Sequence, residues 1–136
     1  MKAITICQPY AHMICVTQEK RVENRSWPTR YRGEILIHAG KSREWLTSDN
    51  FGVPLMDMQF GAIIGKANLV LCARIGVIET GLYDDAFPWL RNHEHTKGPF
   101  CWVLTEMIAF KKPVEYRGAQ GIFNIPDSLV LAGAIS

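Results

Sequence analysis

A chain of 136 residues, 48% hydrophobic and 21% charged, is long enough for one domain with a buried core and too apolar to be disordered. Its net charge of +2 excludes a bulk attraction to nucleic acid, so any such affinity must come from how charge is distributed. No apolar run approaches the roughly 20 residues that span a bilayer. The opening MKAITICQPY is too brief for a signal-peptide core, so the expected location is cytoplasmic, with no membrane partner.

In chain order, Lys2 to Ile6 is short and β-rich, the first expected strand, and Gln8-Pro9 ends it. Pro9 suits the first position of a helix because it has no amide proton to leave unpaired there. From Pro9 to Glu19, Met13 and Val16 with the small Ala11 and Cys15 recur at three- and four-residue steps, which predicts one amphipathic helix. Arg21 to Arg25 then alternates as a strand does, with Val22 inward and Arg21, Glu23 and Arg25 on one face. Ser26 to Thr29 is a loop in which Pro28 holds Trp27 extended. Gly33 introduces a strand from Glu34 to Ala39 that carries His38. A short helix is expected over Lys41 to Leu46, followed by an irregular, mobile loop over residues 47 to 60.

The stretch GAIIGKANLVLCARIGVI, Gly61 to Ile78, is β-branched and interrupted by glycines, and predicts one long bent strand. A helix over Asp84 to Asn92 follows. Gly98 to Phe110 is the next strand, with Phe100, Trp102, Leu104 and Met107 inward. Lys112-Pro113 breaks it, and Val114 to Tyr116 resumes. Ile122 to Ile125 is the last strand, and Pro126 opens a tail that is either a terminal helix or frayed. About six strands with two or three short helices and glycine turns describe a small, partly open β-barrel of the α+β class.

The four cysteines, Cys7, Cys15, Cys72 and Cys101, lie in apolar settings without a C-x-x-C pair, and read as reduced, buried hydrophobes. His93 and His95 form H-x-H in a polar, turn-like segment with no third ligand at a recognisable spacing, so a surface loop is expected and no metal or other cofactor. The distinctive segment is residues 20 to 43, which holds seven of the fifteen Lys and Arg (Lys20, Arg21, Arg25, Arg30, Arg32, Lys41 and Arg43) against Glu23 and Glu34, with Trp27 and Tyr31 among them. Cations that hold a phosphate backbone beside rings that stack on bases suit a nucleic-acid or nucleotide partner. A solvated positive face with one half-buried Trp accounts for the same composition.

The run Gln18-Glu19-Lys20-Arg21-Val22-Glu23-Asn24-Arg25 resembles the G-x-K-x-x-E-x-R signature of the ASCH domain, a branch of the PUA-like superfamily; Gln18 replaces the glycine and the three charged positions match. Gln8-Pro9-Tyr10-Ala11 is similar to the family's Q-P-W-A, with Tyr for Trp. Arg25-Ser26-Trp27-Pro28-Thr29, Arg32-Gly33 with Ile37-His38-Ala39, Trp102-Val103-Leu104, and Gly118-x-Gln120-Gly121-Ile122-Phe123 resemble its further blocks in order and spacing, the last with Phe where Trp is usual. The resemblance implies one ASCH domain over residues 1 to 136, a PUA-like barrel with a cleft where Lys20, Glu23 and Arg25 gather near Tyr10 and Trp27.

Three activities follow as implications of that resemblance, since the fold does not dictate the chemistry. The first is a binding module for single-stranded RNA, a nucleotide or a modified nucleoside, with DNA as a further partner. Arg25 and Arg32 would clamp phosphate, Lys20 and Lys41 would add point charge, and Trp27 or Tyr10 would stack a base. Gln8, Asn24 and Gln120 would read base edges, with Ser26 and His38 also at the site. The second is an amidohydrolase acting on N-acylated cytidine, with Lys20 as base and Glu23 as acid. In the family's small amidohydrolases a threonine nucleophile follows the lysine by three positions; Glu23 stands there in this chain. The third is a ribonuclease in which Lys20, His38 or a bound metal assists attack on phosphate.

Overall fold

The computed structural model describes residues 1–129. Its elements run β1 (Lys2–Ile6), α1 (Tyr10–Cys15), β2 (Val22–Arg25), β3 (Gly33–Ala39), β4 (Ala62–Arg74), α2 (Ile75–Glu79), β5 (Phe100–Glu115) and β6 (Ile122–Asn124), with 3-10 turns at Asn50–Gly52 and Leu55–Asp57. The six strands form one mixed sheet in the order β2-β5-β4-β3-β1-β6. The described residues fall into two compact units, one formed by Met1–Glu19, Glu34–Ala67 and residues 106–129, the other by Lys20–Gly33 and Asn68–Thr105.

In the first unit β1 lies parallel to β3, with Ala3 opposite Leu36 and Thr5 opposite His38, and antiparallel to β6. Ala3 and Ile4, on opposite faces of β1, are both buried, which is why its short run of Ala and Ile needs no polar alternation. Ala3, Leu36, Ile63 and Ile125 make the core there, with Phe110, Val114 and Phe123 against it. A second cluster joins Met13 of α1 to Val53 and Met58. Gly65 allows the closest approach in this unit. A Cβ on it would stand 2.7 Å from the Cys15 Sγ and would strike the Ile108 carbonyl oxygen. In the second unit β2 runs antiparallel to β5, with Val22 opposite Val103 and Glu23 opposite Trp102. Val22, Ala73, Ile78, Leu90, Cys101 and Val103 are its core.

Several expected elements differ in the structure, each for a local reason. Helix α1 covers only Tyr10–Cys15 and is buried on nearly every side, not amphipathic to Glu19. It ends because the amides of Val16 and Thr17 both turn back to the His12 carbonyl and Gln18 takes a φ of 59°. The long strand stops at Arg74 and Ile75–Glu79 is helical. There the Ile75 amide leaves the ladder to donate to the Pro99 carbonyl, and Gly98, at a φ of 81°, sits where a Cβ would meet Ile75 at 2.7 Å. Residues 41–46 and 84–92 form turns, not helices.

Strand β5 continues through Pro113. Its register with β2 covers only Phe100 to Val103, so farther along a proline's missing amide removes no bond to that neighbour. Cys101 and Val103 are as fully buried as Trp102 and Leu104, so both faces of this part of β5 are covered, while Phe100 and Met107 stay half-buried. Beyond Pro126, residues 127–129 are helical, and the rest of the tail lies outside the described residues.

Candidate functional site

The alternation of β2 decides which charges meet. Val22 is fully buried, and Glu23 and Arg25, on the opposite face, are brought side by side. Lys20, just before the strand, folds its side chain back along it. Its Nζ donates to the Val22 carbonyl and lies 3.5 Å from Glu23 Oε1, while Arg25 Nη2 is 3.0 Å from Glu23 Oε2. One carboxylate thus serves two cations. The side chains of Lys20, Glu23 and Arg25 are 4%, 13% and 22% exposed, so the lysine is sealed in and the guanidinium keeps an accessible side.

Burial is the main influence on the Lys20 ammonium and lowers its pKa; the Arg25 charge pushes the same way, and Glu23 opposes both. An amine in that balance is either a buried cation held by a carboxylate or, once deprotonated, a neutral base with a carboxyl beside it.

The framework around these three groups comes from residues far away in sequence. Asn24 donates to the His95 carbonyl at 2.8 Å, and its Oδ1 accepts from the amides of Lys97 and Gly98 at 3.1 and 2.7 Å. Its side-chain amide therefore pins the 95–98 segment, where the sequence placed it as a reader of base edges. His93 Nε2 accepts the Arg21 amide at 3.0 Å, which requires that nitrogen to be unprotonated. Burial, with the neighbouring His95, Lys20 and Arg21 charges, brings the His93 pKa down to about 4. His95 is buried, not a surface residue. Among the described residues no three His, Cys, Asp or Glu side chains cluster as metal ligands.

Trp27 meets Trp102 edge-on, ring centroids 4.8 Å apart, and its carbonyl accepts the Trp102 indole N–H at 3.3 Å. Ser26 is exposed. Arg32 is exposed too, but its Nη1 donates to the carbonyls of Thr29 and Tyr31 at 2.9 and 2.8 Å, so it braces its own turn.

The remaining expected site residues belong to the other unit. Gln8 is fully buried, with Nε2 donating to the Gln59 carbonyl at 2.8 Å and Oε1 accepting the His12 amide at 2.9 Å. His38 is also buried. Its Nε2 must carry the proton, because its partner at 2.6 Å is the Tyr116 carbonyl, and Nδ1 then accepts from the Thr5 hydroxyl at 3.1 Å. Burial lowers its pKa, the Tyr116 carbonyl opposing. Lys41 and Gln120 are exposed. Tyr10 is half-buried between two exposed rings, Trp45 at 6.5 Å and Phe51 at 5.9 Å. The structure thus gathers Lys20, Glu23 and Arg25 tightly. It turns Asn24 from an expected reader of base edges into a brace, and adds His93 and Trp102 to the surroundings, for which the local sequence offers no signal beyond H-x-H and an apolar strand.

No curated protein matches the chain. Ten solved chains match it significantly. One is the crystal structure of ASCH from Zymomonas mobilis, with a TM-score of 0.56 at 15% identity, covering 96% of this chain and 90% of that one. Two single-residue variants of the Zymomonas mobilis protein give TM-scores of 0.55 at 17% identity, each covering 96% of this chain and 92% and 94% of theirs. At such identities the likeness establishes the fold, the PUA-like α+β class that the signature implied. The ASCH domain family model matches residues 4–114, a span that includes the Lys20, Glu23 and Arg25 cluster, and the chain belongs to the ASCH domain family.

Proposed function

We propose that this ASCH domain binds RNA or nucleotides, and that Lys20, Glu23 and Arg25 recognise single-stranded RNA or a modified nucleoside. The observation that carries the reading is the convergence of an ammonium and a guanidinium on one carboxylate, at 3.5 and 3.0 Å, with the arginine still part-exposed. Glu23 fixes the guanidinium in place before any ligand arrives, which reduces the side-chain entropy lost on binding. Arg25 then meets phosphate as a preset fork, and Lys20 adds positive potential from below. Binding itself is the property that tests this reading.

Titration of fluorescent single-stranded RNA into wild type, Lys20→Ala and Arg25→Ala over a salt series makes that measurement. Both substitutions are expected to weaken binding and flatten its salt dependence, Arg25→Ala by about 0.7 in log–log slope per lost phosphate contact and Lys20→Ala, which removes a buried charge, by less. Unchanged affinity and slope in both variants would overturn the proposal.

A second reading has an observation of its own, the lowered pKa of Lys20 beside Glu23. A neutral Lys20 amine would take a proton from a water that attacks the amide carbonyl of an N-acylated cytidine, and Glu23, receiving that proton from Lys20, would pass it to the departing amine as the C–N bond breaks. Release of free acid from acylated cytidines, abolished in a folded Lys20→Ala variant, supports it; turnover that survives the substitution excludes Lys20 as base. Among the described residues no helix is long and apolar enough to cross a membrane. The cytoplasm remains the proposed location.

A further inference from the structure

Strand pairing and one ring contact set a row of three side chains across the β2-β5-β4 part of the sheet. Arg25 of β2 stands directly opposite Phe100, the first residue of β5, so the two share a face. Arg74, the last residue of β4, reaches the same ring from the other side, its guanidinium 5.1 Å from the Phe100 centroid. Neighbouring strands are evenly spaced, so the backbones that carry the two arginines stand roughly 10 Å apart. One row further along this face, Trp102 lies opposite Glu23 and is fully buried, with Trp27 against it. The row at Phe100 stays open: Arg74 is exposed, Phe100 is half-buried and Arg25 keeps an accessible side. Both guanidiniums are held, by different means. Glu23 fixes Arg25 at 3.0 Å, whereas Arg74 rests on an aromatic ring, a support that leaves its charge uncompensated. The Arg74 side chain does not cap α2, which follows it, and among the described residues no carboxylate pairs with it.

We propose that Arg74 is a second phosphate-binding residue, and that Arg25 and Arg74, on either side of Phe100, hold two successive phosphates of a single nucleic-acid strand. This rests on the RNA-binding reading of the Lys20, Glu23 and Arg25 cluster and narrows it, since the ligand then carries at least two phosphates. A separation of roughly 10 Å between the supporting backbones suits phosphates joined through a ribose. It is too wide for a pyrophosphate group, whose two phosphorus atoms share one oxygen. The charge of the unit favours a polyanion as well. Residues 20–33 and 68–105 hold eight Lys and Arg against five Asp and Glu, while the rest of the sequence holds seven against eight. Two of those five acids, Glu23 and Asp84, are already paired with cations of the same unit. The positive excess therefore lies in the unit that carries both arginines, and each makes a planar fork that fits a phosphate edge.

The test uses the whole chain and a labelled oligouridylate, titrated over a salt series into wild type, Arg74→Ala, Arg74→Lys, Arg25→Ala and the double alanine variant. Arg117→Ala, at an exposed arginine of the other unit, is the control. Arg74→Ala should weaken binding about tenfold, the low end for a charged hydrogen bond because the group is exposed. It should also flatten the log–log salt slope by about 0.7, and the double variant by about 1.4. Arg74→Lys should keep the slope and recover only part of the affinity, because an ammonium replaces the charge but not the fork. Arg117→Ala should change neither. In competition, uridine 3′,5′-bisphosphate should displace the strand from wild type better than uridine 5′-monophosphate, and should lose that advantage in Arg74→Ala. If Arg25→Ala weakens binding and Arg74→Ala leaves affinity and slope at wild-type values, the second contact is refuted while the binding reading stands. If wild type binds no strand at all, the binding reading has failed and the second contact falls with it. Inorganic pyrophosphate competing as well as the bisphosphate would assign the pair to a diphosphate group and overturn the strand. Equal losses in Arg74→Ala and Arg117→Ala would reduce the effect to diffuse attraction and overturn it too.

Discussion

Strand β2 and the segment from Lys41 to Phe60 solve opposite problems. At β2 the groups that prefer water, Lys20, Glu23 and Arg25, are drawn inward; between β3 and β4 the groups that avoid water, Trp45 and Phe51, are held outward. Each choice costs free energy and is stabilised by its neighbours, through a shared carboxylate in one case and a buried Asn50 in the other. The contrast teaches which residues the fold depends on. Removing the shared carboxylate should cost stability, whereas removing an exposed ring should leave the fold intact.

The largest expected effect comes from Glu23→Ala, which leaves two cations without their shared partner. A loss of about 3–5 kcal/mol in urea unfolding is expected, moderated because Lys20 can shed its proton. A loss below 1 kcal/mol would show that the cluster is looser than its distances imply. Asn24→Ala should cost about 2–3 kcal/mol, since it strands the Lys97 and Gly98 amides, and it should raise hydrogen exchange across 95–98.

A pH effect sharpens the comparison further. His93 is held near 4 in the folded chain against 6.5 unfolded, so the folded state binds fewer protons between those values. Its contribution is complete above pH 6.5 and is lost as pH falls toward 4. His93→Asn should flatten this part of the wild-type stability–pH curve. Trp45→Ala should be the mildest of all in stability, within about 0.5 kcal/mol of wild type by the same urea assay. A large loss there would mean that the ring supports the fold.

Much of this was readable from the residues. Strands β1, β2, β3 and β6 are short, β-rich and bounded by glycine, proline or charge, and the spacing of Lys20, Glu23 and Arg25 marked them as a group. Even the departure at Gln18 makes sense, because it takes the left-handed backbone that the signature's glycine adopts freely, and its side chain donates to the Met107 carbonyl at 2.7 Å. Other features depended on distant partners. Nothing in IGVIE reads as helix until the Pro99 carbonyl claims the Ile75 amide. Asn24 looked free for recognition because the amides that occupy it lie 73 and 74 residues away. The two exposed rings escaped notice because Trp45 fell in an expected helix and Phe51 in an expected mobile loop.

The packing of Gly65 on Cys15 has a practical consequence. Burial drives the Cys15 thiol to about 12, and the Cys101 thiol is also raised by burial, so neither offers appreciable thiolate while its surroundings are closed. Cys15 belongs to the first unit and Cys101 to the second, so each half of the chain carries its own native clock for transient opening. Alkylation followed by peptide mass mapping would read the two clocks separately, without any engineered label.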